Sequence, residues 1–142
     1  MIVLDAYAVL AYLRDEPAAG AVGELLAAPT LMTAVNAAEV LDQLVRVYGR
    51  DPDEVHADLA LLAHTGMQLS AVSVEAGVLA GRLRARHYHR TRMAVSLADC
   101  VAAAVALSGG WPLATADPAL ARLVRAEQGH VHALPDTRGQ LP

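Results

Sequence analysis

The sequence predicts an α/β fold: a short, mostly parallel central sheet of four to five strands between two layers of helices. Two observations predict it. Short apolar runs alternate along the chain with longer segments of helical periodicity, which implies a parallel sheet covered on both faces. The composition is 55% hydrophobic but only 4% aromatic, and much of the apolar content is alanine, which favours helices over β-sandwiches. A chain of 142 residues fits one domain and can bury a real core.

The elements follow in order. Ile2-Val3-Leu4 is a short strand ending at Asp5, and Ala6 to Arg14 reads as a helix. Pro17 to Ala27 starts another, with proline near its first turn. Leu31-Met32-Thr33 is a second strand. Val40, Leu41, Leu44, Val45, Val47 and Tyr48 then recur at helical spacing until Gly49. Asp51-Pro52 opens a helix to about His64, and Gly66 breaks it before a third strand at Met67-Gln68-Leu69. Val74 to about Arg86 is helical, and Leu97 to Leu107 is a helix apolar on nearly every side. Pro112 to Thr115 is a fourth strand, and Asp117-Pro118 starts a short helix. Val131-His132-Ala133 forms an edge strand. The domain closes at residue 134, and residues 135–142 are expected to be a loose polar tail.

Composition narrows the function. The net charge of −4 argues against a protein that lives on phosphate backbones, although five of the eleven basic residues fall between Arg82 and Arg92. All eleven are arginine, so Schiff-base, Walker A and phosphorelay chemistry is excluded. With no Phe, one Trp and four Tyr, the chain lacks the aromatic platforms of a base-stacking reader of single strands. The single Cys100 cannot form an intrachain disulfide, which suits a reducing compartment. No signal peptide or membrane span is legible, so a soluble, cytoplasmic protein is expected.

Four acids stand at or just after strand-to-helix junctions: Asp5, Glu39, Asp99 and Asp117. Each has a local explanation, because carboxylates satisfy the unpaired N–H groups and positive dipole at a helix start. Asn36-x-x-Glu39 and Ser96-x-x-Asp99 resemble capping boxes, and Asp117-Pro118 pairs an N-cap with proline at the first helical position. Together the acids require more. Parallel connectivity sends all strand-to-helix junctions to one edge of the sheet, where such folds bind ligands. Like charges about 4 Å apart repel by roughly 1–4 kcal/mol, whereas helix dipoles return about 0.3–1 kcal/mol each. A bound cation completes the balance. Asp99, the one charge in an otherwise apolar helix, points the same way, since a buried unpaired carboxylate is costly. Oxygen-only donors suit Mg²⁺ or Mn²⁺ rather than Zn²⁺. Acids that hold a metal, with no nucleophile triad, point to phosphodiester hydrolysis by activated water.

Leu4-Asp5, Asn36-x-x-Glu39, Ser96-Leu97-Ala98-Asp99 and Leu113-Ala114-Thr115-Ala116-Asp117 resemble the four acidic motifs of PIN domains. Their order, their spacing and the chain length are similar to VapC-type toxins, over about Ile2 to Leu123. The resemblance implies a PIN-like three-layer fold, Mg²⁺-dependent endoribonuclease activity, a homodimer and a cognate antitoxin protein whose tail occupies the acidic groove. It implies that Asp5, Glu39, Asp99 and Asp117 are metal and catalytic residues and that Thr115 orients the site through its hydroxyl. One position departs: the family shows a small hydroxyl or amide residue two places after the first acid, and this chain has Tyr7. A non-cleaving PIN fold that binds RNA or protein, with Tyr7 filling the site, is the competing reading. An aspartyl-phosphate phosphatase would need an aspartate where Tyr7 stands.

Outside the acids, Arg82, Arg86, Arg90 and Arg92 are candidate RNA contacts, because arginine binds phosphate in a bidentate fork. A solvated basic helix end explains them equally well. Asp42 reads as the partner of Arg46 one helical turn on. The i, i+2 pairs His87/His89 and His130/His132 lack a third metal ligand and read as surface residues. Cys100 reads as a small buried hydrophobe and Trp111 as packing at a turn.

Overall fold

The computed structural model describes residues 1–142. Five strands, β1 (Ile2–Leu4), β2 (Thr30–Thr33), β3 (Met67–Ser70), β4 (Leu113–Thr115) and β5 (Val131–Ala133), form one sheet in the order β3-β2-β1-β4-β5. Every neighbouring pair is parallel. Seven α-helices surround it: α1 (Ala6–Leu13), α2 (Ala19–Leu26), α3 (Ala34–Asp42), α4 (Pro52–His64), α5 (Val74–His87), α6 (Leu97–Gly109) and α7 (Pro118–Ala126). No helix is long and apolar enough to cross a membrane.

The period-2 alternation of strands divides the apolar residues between two cores. Leu4, Met32, Ala114 and Leu134 face one side, where they pack with Val9 of α1, Val40 of α3 and Leu59 of α4. Val3, Leu31 and Leu113 face the other, against Leu83 of α5, Cys100 and Ala103 of α6 and Leu120 of α7. A sheet with both faces covered needs strands apolar on both, and β1, β2 and β4 meet that need. The all-round apolar character of α6 has the same origin: it is buried from Cys100 to Ala104, and Gly110 ends it in the left-handed region at φ 64°.

The sequence places α3 one turn too late. Thr33, the last residue of β2, is also its N-cap and accepts the amide of Asn36 at 3.2 Å. Glu39 therefore lies in the second turn, not the first, and Asn36 is not a cap. Asn36 is fully buried and donates from Nδ2 to the carbonyl of Ala98 at 3.4 Å, which ties α3 to the start of α6. Beyond Asp42 the helix widens into a π turn over Gln43–Val47 before Gly49, at φ 66°, ends it. Replacing Asn36 with alanine removes the tie to Ala98, leaves the buried Thr33 hydroxyl without its acceptor and empties a buried position. It is expected to lower stability by about 1–3 kcal/mol in denaturant unfolding.

Candidate metal centre

β1 lies at the middle of the sheet, where the strand order reverses, and the crevice at its carboxyl end collects helix starts from both layers. Asp5 leaves β1 and caps α1, its Oδ1 accepting the amide of Ala8 at 2.8 Å. Asp117 leaves the adjacent β4 and caps α7, its Oδ1 accepting from Ala119 at 2.7 Å and Leu120 at 3.3 Å. Asp99 completes a capping box at α6: Oδ2 accepts the amide of Ser96 at 2.7 Å, and Ser96 Oγ accepts the amide of Asp99 at 3.0 Å. Glu39 reaches the same place from α3. All four line one cavity of about 360 Å³, together with Tyr7, Ser96, Asp136 and Thr137. Capping and convergence are both true. Each aspartate commits one named oxygen to its helix, whereas Glu39 caps nothing.

The cavity is electrostatically unbalanced. No arginine or histidine lines it. Burial raises the Asp5 carboxyl from 3.8 to about 7; bonds from Thr115 and the Ala8 amide oppose the rise, and the charges of Asp99 and Asp117 add to it. Burial also raises Asp99, against its bonds from Ser96 and with repulsion from Asp117. Glu39 is raised by burial, then by Asp99 and Asp42. Glu39 Oε2 is buried with no hydrogen-bond partner. Such an orphaned acceptor among carboxylates fits a hard cation bound through oxygen. No three of the acids close into a compact ligand set in this arrangement.

Thr115 is fully buried behind the cavity rather than on its lining. Its hydroxyl oxygen accepts the amide of Asp117 at 3.0 Å, which fixes the turn from β4 into α7. The basic stretch stands apart. None of Arg82, Arg86, Arg90 and Arg92 lines the cavity. Arg86 is 2.7 Å from Glu127, and the carbonyl of Arg92 accepts from Arg122. Asp42 pairs with Arg46 at 2.8 Å, as its spacing predicts. His87 shares Glu127, and His89 accepts the amides of Thr91 and Arg92 in a tight turn.

The expected loose tail is instead folded against the site. The Tyr7 hydroxyl donates to the carbonyl of Pro135 at 3.1 Å, so its bulk is spent on holding residues 135–137 at the cavity rim. Asp136 makes a turn, its Oδ1 accepting from Arg138 at 2.8 Å and Gln140 at 2.9 Å, with Gly139 at φ 79°. It also gives the cavity a fifth carboxylate. The Asp136-x-x-Gly139 spacing is the turn signal that could have revealed this order.

Two outcomes follow. An aspartate whose carboxyl is raised by folding binds its extra proton in the folded state between its unfolded value and about 7. Its contribution to stability therefore declines as pH rises through that window and is flat above it. In EDTA, thermal midpoints from pH 4 to pH 8 should show Asp5→Asn losing less stability than the wild type as pH rises. Equal slopes would refute the burial of an ionised Asp5. Tyr7→Phe removes one hydrogen bond worth about 1 kcal/mol, so trypsin should cut after Arg138 about 5-fold faster.

Comparison with known proteins agrees with this architecture. The PIN domain family model matches residues 2–126. No curated protein sequence matches the chain. Among solved structures, VapBC2 from Rickettsia felis bound to a promoter DNA fragment is similar with a TM-score of 0.69 at 16% identity, covering 94% of this chain and 99% of that one. VapC20 from Mycobacterium tuberculosis, described as a sarcin-ricin loop cleaving toxin, gives 0.67 at 18% identity, covering 86% and 94%. FitAcB from Neisseria gonorrhoeae gives 0.64 at 19% identity, covering 92% and 96%. With its family model spanning nearly the whole sheet and all four acids, the chain belongs to the PIN domain family.

Proposed function

We propose that the protein is a divalent-metal-dependent endoribonuclease and the toxin half of a toxin–antitoxin pair. The observation that carries the reading is the convergence of Asp5, Glu39, Asp99 and Asp117 on one cavity that no cationic side chain balances. These four residues would hold Mg²⁺, or Mn²⁺, which when bound lowers the pKa of water and neutralises charge on a phosphoryl group. The chain's own residues supply the rest. Thr115 fixes the turn that carries Asp117, and Asn36 fixes α3, and so Glu39, relative to α6. Glu39 Oε2, free of any cap and raised in pKa by burial, is the atom available to take a proton from an attacking water.

The partners are proposed from likeness. The similar structures include toxin–antitoxin complexes, which supports an antitoxin protein as the physiological ligand of the cavity and RNA as the substrate. Val74 and Val78 of α5 and Leu97 of α6 are 78%, 51% and 59% exposed, an apolar face that supports a homodimer. Action on cellular RNA places the protein in the cytoplasm. The non-cleaving alternative rested on Tyr7, yet its hydroxyl is turned to the tail and all four acids still reach the cavity.

Purified protein should cleave RNA only with Mg²⁺ or Mn²⁺ present. Asp99→Asn keeps an acceptor for the Ser96 amide, so the fold survives, but removes charge from the cavity; cleavage should fall by about 100-fold or more. Cleavage that persists both in EDTA and in Asp99→Asn would sink the assignment.

A further inference from the structure

A second hollow, of about 310 Å³, adjoins the acidic cavity and shares Tyr7, Leu10 and Thr137 with it. Its other walls are Arg14, Glu16, Gln43 and Tyr48. Arg14 is the one cation lining either hollow. Its guanidinium lies 3.3 Å over the centre of the Tyr48 ring, and Nε is 3.2 Å from Glu16 Oε1. Nη1 is shielded from solvent yet has no hydrogen-bond partner. An arginine held flat on a ring, with one nitrogen committed and another orphaned, is not an ordinary solvated side chain. Glu16 offsets part of its charge and fixes its plane.

The backbone builds this hollow with two features. Arg14 is the C-cap of the helix whose N-cap is Asp5, so the cation and the acids sit at opposite ends of α1, about 14 Å apart along its axis. The π turn presents Gln43 and Tyr48 to the same hollow, and such turns recur at functional sites. A phosphodiester strand entering the acidic cavity meets carboxylates on every wall. It needs a cation on its flank, and a planar guanidinium suits a phosphate oxyanion best.

We propose that the hollow formed by Tyr7, Arg14, Gln43 and Tyr48 is a subsite for a phosphate of the RNA strand a few nucleotides from the scissile link. The proposal rests on the nuclease reading above. It moves the predicted arginine contact from the Arg82–Arg92 stretch, which lines neither hollow, to the end of α1.

The test measures affinity for non-hydrolysable single-stranded oligoribonucleotides lengthened one nucleotide at a time, in Mg²⁺, with the full chain. For the wild type, affinity should step up by about 10-fold at the length that reaches the hollow. Arg14→Gln should lose that step, and its log–log salt slope should fall by about 0.7. Arg14→Lys should recover part of the step, because charge remains without the fork. Tyr48→Leu, which frees the guanidinium from its ring, should blunt the step and gives a second reading if Arg14→Gln folds poorly. A wild type without the step, or a step that survives in both Arg14→Gln and Tyr48→Leu, overturns the subsite. A wild type that neither binds nor cleaves RNA overturns the nuclease reading itself, an outcome distinct from normal cleavage with an unaltered step.

Discussion

The mutual repulsion of carboxylates gathered at one edge of a parallel sheet is the constraint on which the rest of this structure depends. Asp5 and Asp117 are brought together by topology, because the adjacent parallel strands β1 and β4 deliver their helix starts to the same crevice; Asp99 joins them from the start of α6, which follows α5 rather than a strand. Burial then raises Asp5 and Asp99, and each feels the charge of the next. A fold that wanted only good helix caps would spread such residues or use serine and threonine, as α3 and α5 do with Thr33 and Ser73. Keeping charged caps at the crevice, with no cationic side chain among them, makes sense when a positive ion is part of the working state.

The caps also explain how the site is held rigid without a ligand. Asp5 Oδ1, Asp99 Oδ2 and Asp117 Oδ1 are fixed by backbone amides, so the carboxylate planes are set by helix geometry. Thr115 then fixes the turn from β4 to Asp117, and Asn36 sets α3 against α6. Glu39 is the exception: it caps nothing and keeps an unpartnered oxygen. The three aspartates are positioned by structure, and Glu39 is left free to respond to what enters.

Much of this was legible in the sequence, for identifiable reasons. Strong punctuation such as Asp51-Pro52, Gly66 and Asp117-Pro118 locates α4, β3 and α7, because capping and turn chemistry is local. Asp5 and Asp117 were legible because they cap helices directly after strands, and Asp99 because Ser96-x-x-Asp99 is a capping box; Glu39 caps nothing and was legible only through its place in the motif order. The start of α3 was not. Both Thr33 and Asn36 can cap, and the choice is made by tertiary contact, since Asn36 is needed inside against Ala98. The ordered tail was hidden for a similar reason. Tyr7 and Pro135 lie far apart in the chain, and no local pattern announces their hydrogen bond. The basic stretch lies outside the acidic cavity: of the five arginines between residues 82 and 92, Arg86 pairs with Glu127 just after α7 and Arg84 bonds the carbonyl of Val95.

Net charge is the last point to reconcile. A chain at −4 has little long-range attraction for a nucleic-acid strand, so any such affinity has to be built locally. Asp5, Glu39, Asp99 and Asp117 would hold a cation in the acidic cavity, and its charge would offset theirs locally and leave the surroundings negative. The tail held by Tyr7 adds Asp136 to that negative rim and closes the cavity on one side. The adjoining hollow beyond Tyr7 carries a cation in its wall, and Arg14 sits there stacked and half-shielded rather than free in solvent. Acid cluster, tail and stacked arginine thus set two neighbouring hollows of opposite character side by side, one walled by carboxylates and one by a cation on a ring.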